Sequence, residues 1–263
     1  MQKTITGILF LLGFIMLITN TSYAQNQRLI DRNLIGWYVY NGDHQVAKKW
    51  QVHTEYQWRR IDLIRTWQQS LARLGIAYNL QEKVKVAFGY TYFTTFPYGD
   101  YPVAGQGVPT HEHRTYQDLQ WEDTITRLSL SHRLRLEQRW LSEMSEANPR
   151  QIASWAFQNR IRYQLQTQIS LKGPTLDDKE FYLSFFDELF ISFGKNVQAN
   201  IFNQNRLFGG VGYQLNDQFQ LELGYLNQIT QHGEVDSFTG NRVFEINNGF
   251  RFTTYYNINF NGN

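Results

Sequence analysis

The stretch L-S-L-S-H-R-L-R-L-E-Q-R-W, Leu128 to Trp140, puts Leu128, Leu130, Leu134 and Leu136 on one parity and Arg133, Arg135, Glu137 and Arg139 on the other. A period of two belongs to a strand with one apolar and one charged face. At the ~100° per residue of a helix the same leucines would scatter around the axis instead of forming a stripe.

The alternation recurs along the chain. Trp50, Val52, Thr54, Tyr56 and Trp58 interleave with Gln51, His53, Glu55, Gln57 and Arg59, and Phe219, Leu221, Leu223 and Tyr225 interleave with Gln220, Glu222 and Gly224. Segments near 34–41, 49–59, 68–79, 83–94, 112–122, 125–140, 152–168, 180–194, 204–215, 219–231 and 241–253 carry the pattern. Several exceed the ~5 to 6 residues usual in soluble sheets and match the ~9 to 11 of a tilted membrane strand. Connectors alternate in length. Asn79 to Glu82, Glu122-Asp123 and Asn216-Asp217 are tight, whereas Thr94 to His111, Leu141 to Arg150, Lys195 to Phe202 and Gln231 to Gly240 are long. Ser170 to Lys179 breaks the rule by being long on the tight side. Short inner turns and long outer loops characterise outer-membrane barrels.

The sequence therefore predicts an all-β fold, a single antiparallel transmembrane β-barrel of 10–12 strands. Bacterial single-chain barrels use an even number, so the count resolves to ten or twelve. Ten requires that the 34–41 segment is no full stave. Twelve requires one more strand from the tail Thr254 to Phe260 or from the N-terminal stretch. Trp58, Trp140 and Trp155 sit at strand ends beside long loops, and Trp50 and Trp121 sit near tight turns, which predicts two aromatic girdles. Trp67 lies off the parity of Ala72, Leu74 and Ile76, and so is either lumenal at the rim or displaced by a bulge.

Lys3, the apolar run Ile8 to Ile18 and Thr21-Ser22-Tyr23-Ala24 before Gln25 read as a signal peptide over 1–24, with one barrel domain over 25–263. That run is shorter than the ~20 residues of a spanning helix. With no cysteine there is no disulfide, lipoprotein anchor or thiol chemistry. Removing Lys3 from 25 basic residues leaves 24 against 23 acidic ones, a balance that argues against a nucleic-acid partner. Aromatic residues make up 16% of the chain, and membrane interfaces are where such an excess usually resides. The expected location is the outer membrane of a Gram-negative bacterium. Outer-membrane lipids and lipopolysaccharide would be the surroundings there. The barrel-assembly machinery would act on the closing alternation Phe244, Ile246, Phe250 and Phe252.

G-W-Y-V-Y at 36–40, K-W-Q-V-H-T-E-Y-Q-W-R-R at 49–60, H-R-L-R-L-E-Q-R-W at 132–140, N-R-I-R-Y-Q-L at 159–165 and D-E-L-F-I at 187–191 resemble domain-of-unknown-function family 2490. The resemblance implies an outer-membrane β-barrel with no established activity, and it supplies no catalytic residue.

The strongest constellation is the basic row Arg133, Arg135, Arg139, Arg160 and Arg162, with Glu137 and Glu188 nearby. A basic group facing lipid at the midplane costs ~2 to 4 kcal/mol, which a fold stable by only ~5 to 15 kcal/mol cannot bear several times over. These seven residues are therefore expected to line the lumen. They either favour anions in a small-solute channel or form an Arg/Glu network that fills a narrow barrel. His111 and His113 project to one side of their strand, short of the three or four convergent ligands of a metal site. Ser131 and His132 point to opposite faces and cannot act as nucleophile and base. No G-x-S-x-G context occurs, so no catalytic residue, cofactor or metal is expected. A surface lipid hydrolase, or partner binding through the loop Pro97 to Pro109, are the competing readings.

Overall fold

Strands whose successive side chains alternate in face can pair with their chain neighbours and curl until no sheet edge is left. The computed structural model describes residues 28–102, 107–197, 200–236 and 238–260. These hold β1 (Leu29–Ala47), β2 (Trp50–Ile61), β3 (Thr66–Gln81), β4 (Val84–Thr95), β5 (Thr110–Ile125), β6 (Leu128–Met144), β7 (Ile152–Ser170), β8 (Glu180–Phe193), β9 (Phe202–Asn216), β10 (Phe219–Val235) and β11 (Arg242–Tyr256), closed into one barrel. The expected signal peptide over 1–24 lies outside the described residues.

The even count does not hold: among the described residues there are eleven strands. In an up-and-down order an odd number leaves the first and last strands running the same way, and they pair in parallel from Leu29↔Val243 to Asn41↔Tyr255. Every other seam is antiparallel. The 34–41 segment is the middle of a 19-residue stave. The tail adds only an isolated parallel bridge, Gln45↔Asn259, and no twelfth strand. It follows that β1 starts at the end of the barrel carrying the long loops, while β11 finishes at the end carrying the tight turns.

The parity read from Leu128 to Trp140 sorts the wall. Leu134 and Leu136 lie outside with Leu74, Ile76, Phe88, Phe185, Leu223 and Phe250, while Arg135, Glu137 and Arg139 are buried inside. Outward polar groups are tied to one another across seams. Asn205 Nδ2 donates to Asp187 Oδ1 at 2.6 Å, Asn227 Nδ2 and Tyr225 OH donate to Asn248 Oδ1 at 2.7 Å, and Thr115 Oγ1 donates to Gln138 Oε1 at 2.8 Å. Trp67 immediately precedes a bulge, which accounts for its parity. Arg59 pairs with Gln69 but Arg60 pairs with Trp67, so Gln68 is the extra residue that flips the parity.

Inside, one sector is apolar: Ile35, Trp37, Phe186, Phe208 and Leu226 form a cluster. Room for interior rings comes from glycines. Gly75 and Gly89 face each other across β3 and β4, and a Cβ on either would overlap the Tyr116 hydroxyl. Overpacking of this kind costs ~1 to 3 kcal/mol. Gly89→Val is therefore expected to lower the urea midpoint of the detergent-folded barrel, and Tyr116→Ala in the same chain to recover part of the loss. An unchanged midpoint in Gly89→Val would contradict the packing.

Candidate functional site

Register assembles the charges. Pairing aligns Asp118, Arg135 and Arg162 in one row across β5, β6 and β7, and Tyr116, Glu137 and Arg160 in the next. Arg135 Nε and Nη2 each donate to one oxygen of Asp118 at 2.6 Å, the bidentate geometry that suits a guanidinium. Glu137 accepts from Arg162 Nη1 at 2.6 Å and from Arg160 Nε at 2.8 Å. Glu188 Oε1 accepts from Arg162 Nη2 at 2.6 Å and from Arg133 Nη2 at 2.7 Å, with Arg206 Nη1 at 3.6 Å from the other oxygen. Of the seven residues singled out from sequence, Arg133, Arg160, Arg162, Glu137 and Glu188 thus meet in one connected set, while Arg135 pairs with Asp118 and Arg139 with Glu112. Six are buried, and Arg133 is partly accessible toward the tight-turn end.

Sequence reasoning missed as many again. Glu112 serves both Arg114 and Arg139, with Nη2 distances of 2.7 and 3.0 Å. Arg73 pairs with Glu55, and Arg251 lies 3.2 Å from Glu222. Arg59 has no carboxylate partner among the described residues. Its Nε donates to Gln57 at 2.8 Å and its Nη1 to Gln69 at 2.6 Å, and its guanidinium lies 3.8 Å over the Trp37 ring. Trp37 Nε1 in turn donates to Gln68, the bulge residue, at 2.8 Å. Parity alone would have turned Trp37 inward with Ile35 and Val39.

Guanidiniums and rings pack together in the interior. Arg162 and Arg206 lie 4.4 and 4.6 Å over Phe190, and Arg135 lies 4.1 Å over Tyr116. Trp37 and Arg59 are each 2% exposed, Glu137 1% and Phe190 0%. A water-filled bore would wet these groups.

Above this belt, at the long-loop end, lies a cavity of about 1160 Å³. Arg59, Arg114, Arg139, Arg160 and Arg206 line its depth, and Asp100, Glu143, Glu234 and Asp236 its rim. The loop after β4 crosses the mouth to the far wall. Tyr98 OH donates to Glu245 Oε2 at 2.8 Å and Tyr101 N donates to Asp31 Oδ2 at 3.2 Å. Gly99 permits the crossing with φ of 73°, and a Cβ there would strike the Asp31 carboxylate. Burial and the neighbouring Glu245 carboxylate push the Tyr98 phenol well above its ordinary pKa, so it remains a donor. At the rim, Thr239 donates to Asp236 from its N at 2.8 Å and its Oγ1 at 2.7 Å, which holds that acid below its ordinary range.

The remaining candidates face out. His111 Nδ1 is 2.8 Å from the Tyr92 hydroxyl and His113 bonds the Tyr90 hydroxyl, while Glu112 between them points inward. His132 stacks on Trp121 at 4.8 Å, with its Nδ1 2.8 Å from the Tyr163 hydroxyl. Trp50 packs on Tyr78 at 4.8 Å and Trp58 on Tyr38 at 5.2 Å. Trp140 packs on Phe157 at 5.4 Å and Trp155 on His113 at 4.8 Å. Among the described residues no group of three His, Cys, Asp or Glu side chains is placed to hold a metal.

The family described as "Protein of unknown function (DUF2490)" matches over residues 35–239. No curated protein matches the chain.

Removing one partner of a buried ion pair leaves an uncompensated charge and costs ~3 to 5 kcal/mol. Glu137→Gln strands Arg160 and leaves Arg162 with Glu188 alone, and is expected to lose that much in urea unfolding of the detergent-folded barrel. Glu122→Gln, at the exposed end of β5, should stay within ~0.5 kcal/mol. Equal effects would mean that the interior charges do not hold the wall.

Proposed function

The chain belongs to that family, and we propose that it is an integral outer-membrane β-barrel whose interior braces the wall and conducts no solute, with its long-loop chamber facing outward. The observation that carries this reading is the dry belt around Trp37, Glu137 and Phe190, beneath Arg59. A passive channel requires a continuous wet path, and these side chains occupy the position such a path would take. The membrane reading draws support from the exposed leucines and phenylalanines of the outer face and from tryptophans near both ends of the wall. The loop asymmetry gives the orientation, with tight turns on the periplasmic side. The reading assigns no catalytic role. Ser131 and His132 lie on opposite faces of β6, and the His132 ring is engaged by Trp121 and Tyr163.

An eleven-strand barrel in this orientation starts its first strand at the cell surface. The absence of native cysteine makes this measurable without background. A membrane-impermeant maleimide on intact cells should label Arg28→Cys and Glu146→Cys, and should reach Asp217→Cys only after the outer membrane is permeabilised. Protection of Arg28→Cys while Glu146→Cys reacts would overturn the parallel closure, and equal labelling of all three would overturn the membrane reading. In planar bilayers the folded wild-type protein should show no stable conductance. A steady ohmic current would defeat the occluded-interior reading.

A further inference from the structure

We propose that the floor of the long-loop chamber is a binding site for a small polyanion, bearing phosphate or clustered carboxylate groups, seated between Arg59 and Arg206. The starting observation is a charge imbalance in a place where charge is costly. Arg59, Arg114, Arg133, Arg139, Arg160, Arg162 and Arg206 are served by only three carboxylates: Glu112, Glu137 and Glu188. Glu112 and Glu137 each take two guanidiniums and Glu188 takes three, while Arg59 takes none. The other interior arginines each have an acid of their own, Arg73 with Glu55, Arg135 with Asp118 and Arg251 with Glu222.

Two more buried acids stand at the mouth, and the oxygens of both are engaged by other groups. Asp31 accepts from Tyr101 N and Asn33, and Glu245 accepts from Tyr98, Asn247 and His232. Even with both counted against the seven arginines, two positive charges stay unmatched. The rim acids are solvent-side, where water screens them.

The geometry at the unmatched end suits an anion. The faces of Arg59 and Arg206 lie over the same Trp37 ring at 3.8 and 4.9 Å, which fixes the planes; Arg59 donates to Gln57 and Gln69 through Nε, Nη1 and Nη2, and the second hydrogens of its two Nη groups stay for an anion. Arg206 Nε is buried without a hydrogen-bond partner. Around them Gln69, Gln204 and Gln228 line the same cavity with amide groups. Paired Arg edges on stacked planes, backed by amides, form the donor set that recognises carboxylate and phosphate.

The experiment uses the full chain folded in detergent micelles, which separates its outcome from any question of membrane location or conductance. Isothermal titration with inorganic pyrophosphate should give one site, tighter than inorganic phosphate and weakened by salt. Arg59→Gln and Arg206→Gln should each weaken pyrophosphate at least about tenfold, whereas Asp236→Asn at the rim should leave it within about twofold. Folding failure is separable, because relieving an unmatched buried charge predicts that Arg59→Gln melts higher than wild type without anion and loses the upward shift that pyrophosphate gives the wild type. Adding lipopolysaccharide then identifies the source. Displacement of pyrophosphate assigns the site to a lipid head-group phosphate, and no displacement assigns it to a free solute. No heat and no thermal shift with pyrophosphate, or equal affinity in Arg59→Gln, would overturn the site.

Discussion

Glu137, receiving Arg160 from one edge and Arg162 from the other, represents the constraint on which the rest of this structure depends. A closed barrel sends every second side chain inward, and about eight strands already enclose a space that ordinary side chains fill. Eleven strands enclose more, so the filling must reach farther. Arginine reaches, but its charge must be met and its planar head supported. Carboxylates meet the charge: Asp118, Glu137 and Glu188 each lie within 2.6 Å of at least one guanidinium nitrogen. Rings support the planes: Phe190, Tyr116 and Trp37 each lie under guanidiniums. Glycine makes space for the rings, as Gly75 and Gly89 do beneath Tyr116. Shape and charge balance thus come from the same side chains.

The odd strand number has a mechanical meaning. Eleven strands that go up and down cannot close antiparallel, and the parallel seam between β1 and β11 spans thirteen register pairs from Leu29 to Asn41. Parallel pairing is slightly weaker per residue. Length offsets this, since β1 runs 19 residues and engages β2 on its other side through Ile35 to Ala47. The seam is also supported from within by Ile35 and Trp37, both in the apolar cluster.

How much of this was legible follows from what parity encodes. Alternation at Leu128 to Trp140 specified strand, facing and the inward set Arg135, Glu137 and Arg139 without any knowledge of neighbours, because facing is a property of one strand. The strand count was legible too: the eleven segments correspond one to one with β1 to β11, and it was the general preference for even barrels that pointed to ten or twelve. What the chain could not reveal is which inward residues meet. Glu188 meets Arg206 because β8 and β9 pair them directly across their seam, and Arg59 lies over Trp37 because β1 pairs with β2 at that level. Register depends on both partners and on bulges such as the one at Gln68, so Arg59, Arg206 and Trp37 carried no signal as a group.

The distribution of unmatched charge is ordered along the barrel. Deep pairs are one to one: Arg73 with Glu55, Arg135 with Asp118, Arg251 with Glu222. Toward the chamber acids are shared, Glu112 between Arg114 and Arg139 and Glu137 between Arg160 and Arg162, and the arginine without any acid, Arg59, lies on the chamber floor itself. An excess charge sealed in a dry belt would have no remedy except neutralisation, whereas one placed against an open cavity can be met by water or by an anion. The imbalance sits where it can be relieved from outside. This makes it a property of the chamber, with the packed interior beneath it holding the guanidiniums in place.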